Sequence, residues 1–154
     1  MKKDVLVSIS GLHLGVIEGA YREENMLEVV TPANYFHKDN EHYIFYDELV
    51  EGMEGTIRNK IKIGRDGSLE IFKTGLSNAH MVFEKNQKNL TYYETPFGQM
   101  LVSVNTKNMD ITFANERIDV LVDYELDVNH EPMADCQIRL NITSKDKGEE
   151  LLLQ

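Results

Sequence analysis

The sequence predicts an all-β protein built as an antiparallel barrel of roughly eight to ten strands. Three observations carry that prediction. Apolar and polar residues alternate with period two along most of the chain. Polar turn signals such as Arg65-Asp66-Gly67 separate the alternating runs. No stretch carries a convincing helical period, and the one that comes nearest, 18–27, contains Gly19 and the turn-prone Asn25. Nearly every run has one clearly apolar face, which favours a barrel over a sandwich.

The elements follow in order. Val5–Leu14 alternates, with Val5, Val7 and Ile9 on one face and Ser8 and Ser10 on the other. The charged connection Glu18–Asn25 leads to Met26–His37, and His42–Leu49 comes next. The turn Glu51–Gly55 precedes Thr56–Ile63. Asp66-Gly67 supplies the positive φ of a tight hairpin into Leu69–Thr74. Ala79–Glu84 and Leu90–Thr95 are joined by the polar run Lys85–Asn89. Pro96 cannot donate to a sheet ladder and Gly98 permits a sharp bend, so Thr95–Gly98 reads as a strand-to-strand corner. Phe97–Thr106, Met109–Ala114 and Ile118–Val128 follow, and a last strand runs from Cys136 to Thr143 after the loop Asn129–Pro132.

Length and charge bound the rest. The 154 residues fit one domain, 1–154, ending in a frayed or partner-contacting tail at 145–154. Acidic residues outnumber basic ones 26 to 16, for a net charge of −10. Such a surface repels nucleic acid and anionic lipid. The densest basic run, Arg58–Lys62, has no interleaved aromatics and reads as a solvated strand face. The single cysteine, Cys136, permits no intrachain disulfide and reads as a small buried hydrophobe. One cysteine and an alternating N-terminus unlike a signal peptide give the expectation of a cytoplasmic protein. No apolar run reaches membrane-spanning length.

Several chemistries find no support. There is no phosphate-cradling loop, dinucleotide fingerprint or nucleophile elbow. His37 and His42 flank the turn Lys38–Glu41 and are expected to approach each other across a hairpin. With Asp39 or Glu41 they would make only an opportunistic metal site, so no metal or other cofactor is expected.

A set of ordered motifs carries a family resemblance. HYIFYDE at 42–48 and the G-x-L-x-I-x-K-x-G run from Gly67 to Gly75 come first. Met81 with Phe83, Y-x-T-P-x-G from Tyr93 to Gly98, and Y-x-L-D from Tyr124 to Asp127 follow. Their order and spacing from about residue 4 to 143 resemble the YwiB-like family of bacterial proteins. That resemblance implies a lipocalin-like, or calycin, barrel and no established activity. The family usually carries Arg where this chain has Lys73, and often Gly where it has Ala33. The lysine keeps the charge but not the two-pronged pairing of a guanidinium.

Strand parity sorts the candidate site. If the faces bearing Ile44 and Leu69 point inward, Tyr46, Glu48, Lys73, Tyr93 and Thr95 converge inside the barrel. A buried Glu and Lys must pair, because either charge alone is costly to desolvate. Phe72, Phe83, Met81 and Met100 would fill the interior if their faces also point in. Three readings follow: a binder of a small, partly apolar molecule, an interaction or regulatory module, and a barrel enzyme. The second would have a filled barrel, would form a homodimer, and would use material such as Leu151–Leu153. The third would use Glu48 as base, assisted by Tyr46, Lys73 or Tyr93. Binding is favoured over catalysis, and no catalytic residue is assigned.

Overall fold

The computed structural model describes residues 2–11, 29–49, 52–96 and 98–144. The connection at 18–25, His13 and the tail at 145–154 lie outside the described residues. So do the ends of the first two expected strands at 12–14 and 26–28.

Among the described residues, ten antiparallel strands form one sheet. They are β1 (Lys2–Ser10), β2 (Val29–Lys38), β3 (Glu41–Leu49), β4 (Thr56–Ile63), β5 (Leu69–Gly75), β6 (Ala79–Phe83), β7 (Lys88–Thr95), β8 (Gly98–Ala114), β9 (Arg117–Val128) and β10 (Glu131–Ser144). The lateral order is β6-β5-β4-β3-β2-β1-β10-β9-β8-β7. The two outermost strands, β6 and β7, return to each other and nearly close the barrel. Their join is short. Asn78 and Glu94 exchange both backbone hydrogen bonds, at 2.9 and 2.8 Å, and form the one bridge between the two flanks among the described residues.

Turn chemistry fixes the register. Asp39 and Asn40 both take left-handed φ, 54° and 62°, which makes the two-residue turn between β2 and β3. Asn129 and His130 do the same, at 51° and 68°, between β9 and β10. The last strand therefore starts at Glu131, five residues before the expected Cys136, and absorbs Pro132 in a bulge between Pro132 and Ala134. The expected break at Lys107-Asn108 is likewise a bulge, so Gly98–Ala114 is one long strand. The Thr95–Gly98 corner is the turn between β7 and β8, where the Thr95 hydroxyl donates to the Gly98 carbonyl at 3.0 Å.

The apolar faces meet inside. Buried side chains from all ten strands, among them Val7, Tyr35, Ile44, Ile61, Ile71 and Leu140, form one core. Met81 and Phe83 belong to it, and Met100 packs against it. Phe72 does not. One residue out of phase with Ile71 and Lys73, it stacks on His80 outside the wall, with ring centroids 4.1 Å apart.

Candidate functional site

One end of the barrel, here the upper end, carries the connections after β3, β5, β7 and β9. The register sets Tyr46 of β3, Asn59 of β4, Lys73 of β5 and Ala79 of β6 side by side on the inner face near this end. One step from the Asn78–Glu94 bridge, Tyr93 continues the row, with Met100 opposite it on β8. Glu48 lies two residues beyond Tyr46 on the same face of β3.

Three side chains bind one another tightly. Lys73 Nζ donates to Asn59 Oδ1 at 2.7 Å and to Glu48 Oε1 at 3.1 Å. Asn59 Nδ2 donates to the same Glu48 oxygen at 3.2 Å. Exposure across the ion pair is lopsided, with the Lys73 side chain 1% exposed and that of Glu48 41%. Burial raises the Tyr46 phenol far above its ordinary range, and the Glu48 carboxylate pushes it further. The phenol is therefore a proton donor at neutral pH and cannot serve as a base.

All five predicted residues, Tyr46, Glu48, Lys73, Tyr93 and Thr95, stand at one end. Glu48 and Lys73 touch, and Tyr93 is fully buried further round the wall. Thr95 stands at the same end but is held in the β7–β8 turn. Asn59 was missed. It sits inside the basic run Arg58–Lys62, yet it shares a face with Ile57, Ile61 and Ile63. A polar residue on an apolar stripe was the signal that could have found it.

The outer face of the same strand is neutralised by its neighbours. Arg58 pairs with Asp47 at 3.5 Å, and Lys62 with Glu41 and Glu70 at 3.4 and 3.6 Å. Lys60 lies over the Phe72 ring, 4.3 Å from its centroid. The aromatic partner absent from the run comes from the adjacent strand.

The wall parts beside Tyr46. The β2–β3 ladder runs from Lys38↔Glu41 to Asn34↔Phe45 and stops. Residues flanking a two-residue turn face each other, so Lys38, Phe36, Asn34 and Pro32 all aim their backbone groups at β3. Pro32 has no N–H to make the next bond. A depression of about 510 Å³ opens there, lined by Pro32, Ala33, Phe45, Tyr46, Asp47 and Arg58 among others. Exposed Val29, Val30 and Leu49 stand on the same two strands. A larger depression of about 600 Å³, against Gly11, Lys107, Asp123 and Arg139, holds none of the sequence-predicted residues.

A second polar cluster lies at the lower end. The Tyr35 hydroxyl is 2.6 Å from His42 Nδ1. The His37 and His42 rings stack in parallel, 4.3 Å apart and 5° from coplanar. The histidines thus meet across their hairpin. Among the described residues, no group of three or more His, Cys, Asp or Glu is placed to hold a metal. No helix of the described residues is long and apolar enough to cross a membrane.

Comparison with known proteins agrees with this architecture. Residues 15–140 match the family described as Domain of unknown function (DUF1934). A solved structure, the crystal structure of ywiB protein from Bacillus subtilis, superposes with a TM-score of 0.72 at 14% identity, over 93% of this chain and 92% of that one. At that identity the likeness concerns the fold. No curated protein matches the sequence. The chain belongs to the DUF1934 family.

Proposed function

We propose that this member of the DUF1934 family is a cytoplasmic binding protein, and that its upper end takes a small, partly apolar molecule. One observation carries the reading. Lys73 is a fully buried ammonium whose counter-ion is half exposed, and Tyr46, in register with it through Asn59, lines the depression where the β2–β3 ladder stops. Burying a lysine costs several kcal/mol unless its partners are good ones. Here the carboxylate keeps part of its hydration, so it can leave the ammonium at a smaller desolvation imbalance than a buried partner could. Exposed Val29, Val30, Phe45 and Leu49 near the opening suit a partly apolar ligand. The core of buried side chains from all ten strands favours a ligand held at the end of the barrel over one at its centre.

The decisive experiment is native mass spectrometry of the protein purified from its own cells, with analysis of whatever is released on denaturation. A stoichiometric small molecule, lost in a folded Lys73→Met variant, would support the reading. A bare protein mass would overturn it. That result would favour the second reading, an interaction module, which the continuous core from all ten strands supports. The same spectrum reports monomer or homodimer.

A further inference from the structure

We propose that the ligand is a monocarboxylate whose anionic oxygen takes the place of Glu48 on Lys73 and Asn59. This deepens the binding reading and rests on it.

The geometry is that of a cradle for one oxygen. Glu48 Oε1 accepts from both Lys73 Nζ, at 3.1 Å, and Asn59 Nδ2, at 3.2 Å. Both donors belong to buried residues, Lys73 2% and Asn59 0% exposed. They are also locked to each other, because Asn59 Oδ1 holds the ammonium at 2.7 Å. The donors therefore stay in place whichever oxygen sits between them. The acceptor is the exposed partner. Glu48 comes from the exposed side and can return to water at little cost, because it is already half hydrated.

Charge decides the class of ligand. The cluster holds one buried cation and one anion, so a single negative charge must replace Glu48. A dianion would leave an uncompensated charge beside Tyr46, and a neutral molecule would leave the ammonium without a counter-ion. An ammonium has three protons, and Lys73 uses two of them on described residues, on Glu48 and Asn59. The third can meet a second carboxylate oxygen. Leu49, next to Glu48, is exposed, and Tyr46 lines the depression of about 510 Å³ whose rim sets Phe45 and Pro32 among Asp4, Asn34, Asp47 and Arg58, so a short, partly apolar chain has a surface to lie on. The buried apolar core behind the cradle favours a short chain.

The test uses the full chain and two defined probes, acetate and hexanoate, against chloride at matched ionic strength. Wild type, Glu48→Ala and Glu48→Ala/Lys73→Met are melted across probe concentration. Glu48→Ala is expected to melt below wild type and to be restored saturably by the carboxylates, hexanoate at lower concentration than acetate. Chloride and the double variant should give no such response. If Glu48 fills the cradle nine-tenths of the time, its removal tightens apparent binding about tenfold. Carboxylates that leave Glu48→Ala unmoved, or that stabilise the double variant equally, would overturn the proposal.

Should Glu48→Ala not fold, hexanoate is titrated into wild type while the Asn59 side-chain amide is followed by NMR. A saturable shift that is lost in Lys73→Met supports the exchange, and no shift overturns it. The two readings fail separately. A neutral or cationic molecule released from native protein would refute the carboxylate and keep the binding barrel. A bare native mass with carboxylate rescue of Glu48→Ala would keep the cradle and refute a resident ligand.

Discussion

The Tyr35 hydroxyl lies 2.6 Å from Nδ1 of His42, and both groups are driven toward their neutral forms. Burial raises the Tyr35 phenol, while burial and the neighbouring His37 lower His42. A neutral phenol donates, so Nδ1 accepts and the imidazole carries its proton on Nε2. Tyr35→Phe removes that donor and is expected to cost about 1 kcal/mol by chemical denaturation.

The same pair sets an acid limit. The folded state holds His42 below its ordinary value of 6.5, so the unfolded chain binds the proton more readily. Stability is therefore expected to fall as pH drops through 6.5 toward the folded value. Among the described residues, Tyr35, His37, Glu116 and Arg117 are the titratable and charged groups around that ring and the cavity it lines. Denaturation between pH 7 and 5 should show a shallower loss in His42→Gln. An equal slope in both proteins would contradict the assignment.

Tyr46 and Tyr35 set an alkaline limit. Both phenols are raised above 10.0 by burial, so the unfolded chain loses their protons first. Stability is present below that pH and should fall as pH rises through it. Absorbance titration should resolve phenols that ionise only with unfolding, and fewer of them in Tyr46→Phe.

The upper-end network should respond asymmetrically to substitution. Asn59→Ala removes the 2.7 Å acceptor from a buried ammonium and should cost about 2 kcal/mol. Glu48→Ala should cost about 1–2 kcal/mol, less than for a fully buried pair because its carboxylate is half hydrated. Lys73→Met removes a buried charge but leaves the buried Asn59 Oδ1 without its donor, and should cost about 1 kcal/mol, with the relief of the buried charge offsetting part of the orphaned acceptor. Urea midpoints rank the three. A Lys73→Met loss exceeding that of Asn59→Ala would mean that the lysine is chiefly a structural strut.

Gly75 ends the strand that carries Lys73, at a φ of 110°. A Cβ there would run into the Thr56 carbonyl oxygen on β4. Gly75→Ala should cost at least about 2 kcal/mol from strain and collision together. The melting temperature should drop by several degrees, and substitution at the open Gly67 serves as the comparison for φ alone.

How far the sequence could be read follows from what each residue depends on. Period-two alternation is local, so nearly all the described strands were legible. The two-residue turns were harder. Asn129-His130 lacks the glycine that advertises a hairpin, and the strand after it was started late. The bulge at Lys107-Asn108 read as a break because an inserted residue interrupts the alternation without ending the ladder. Phe72, expected inside only if its face points in, lies outside, because it is out of phase with Ile71. Asn59 was lost among basic neighbours although its parity put it inside.

By itself, the sequence determined the all-β class, the faces of most strands and the need for Glu48 and Lys73 to pair if both turn inward. Those follow from alternation and the cost of burying charge, which act residue by residue. Tertiary structure decided which oxygen Asn59 and Lys73 share, how unequally the ion pair is exposed, and where the wall opens beside Pro32. These depend on register between strands distant in sequence, where a one-residue slip reverses every face.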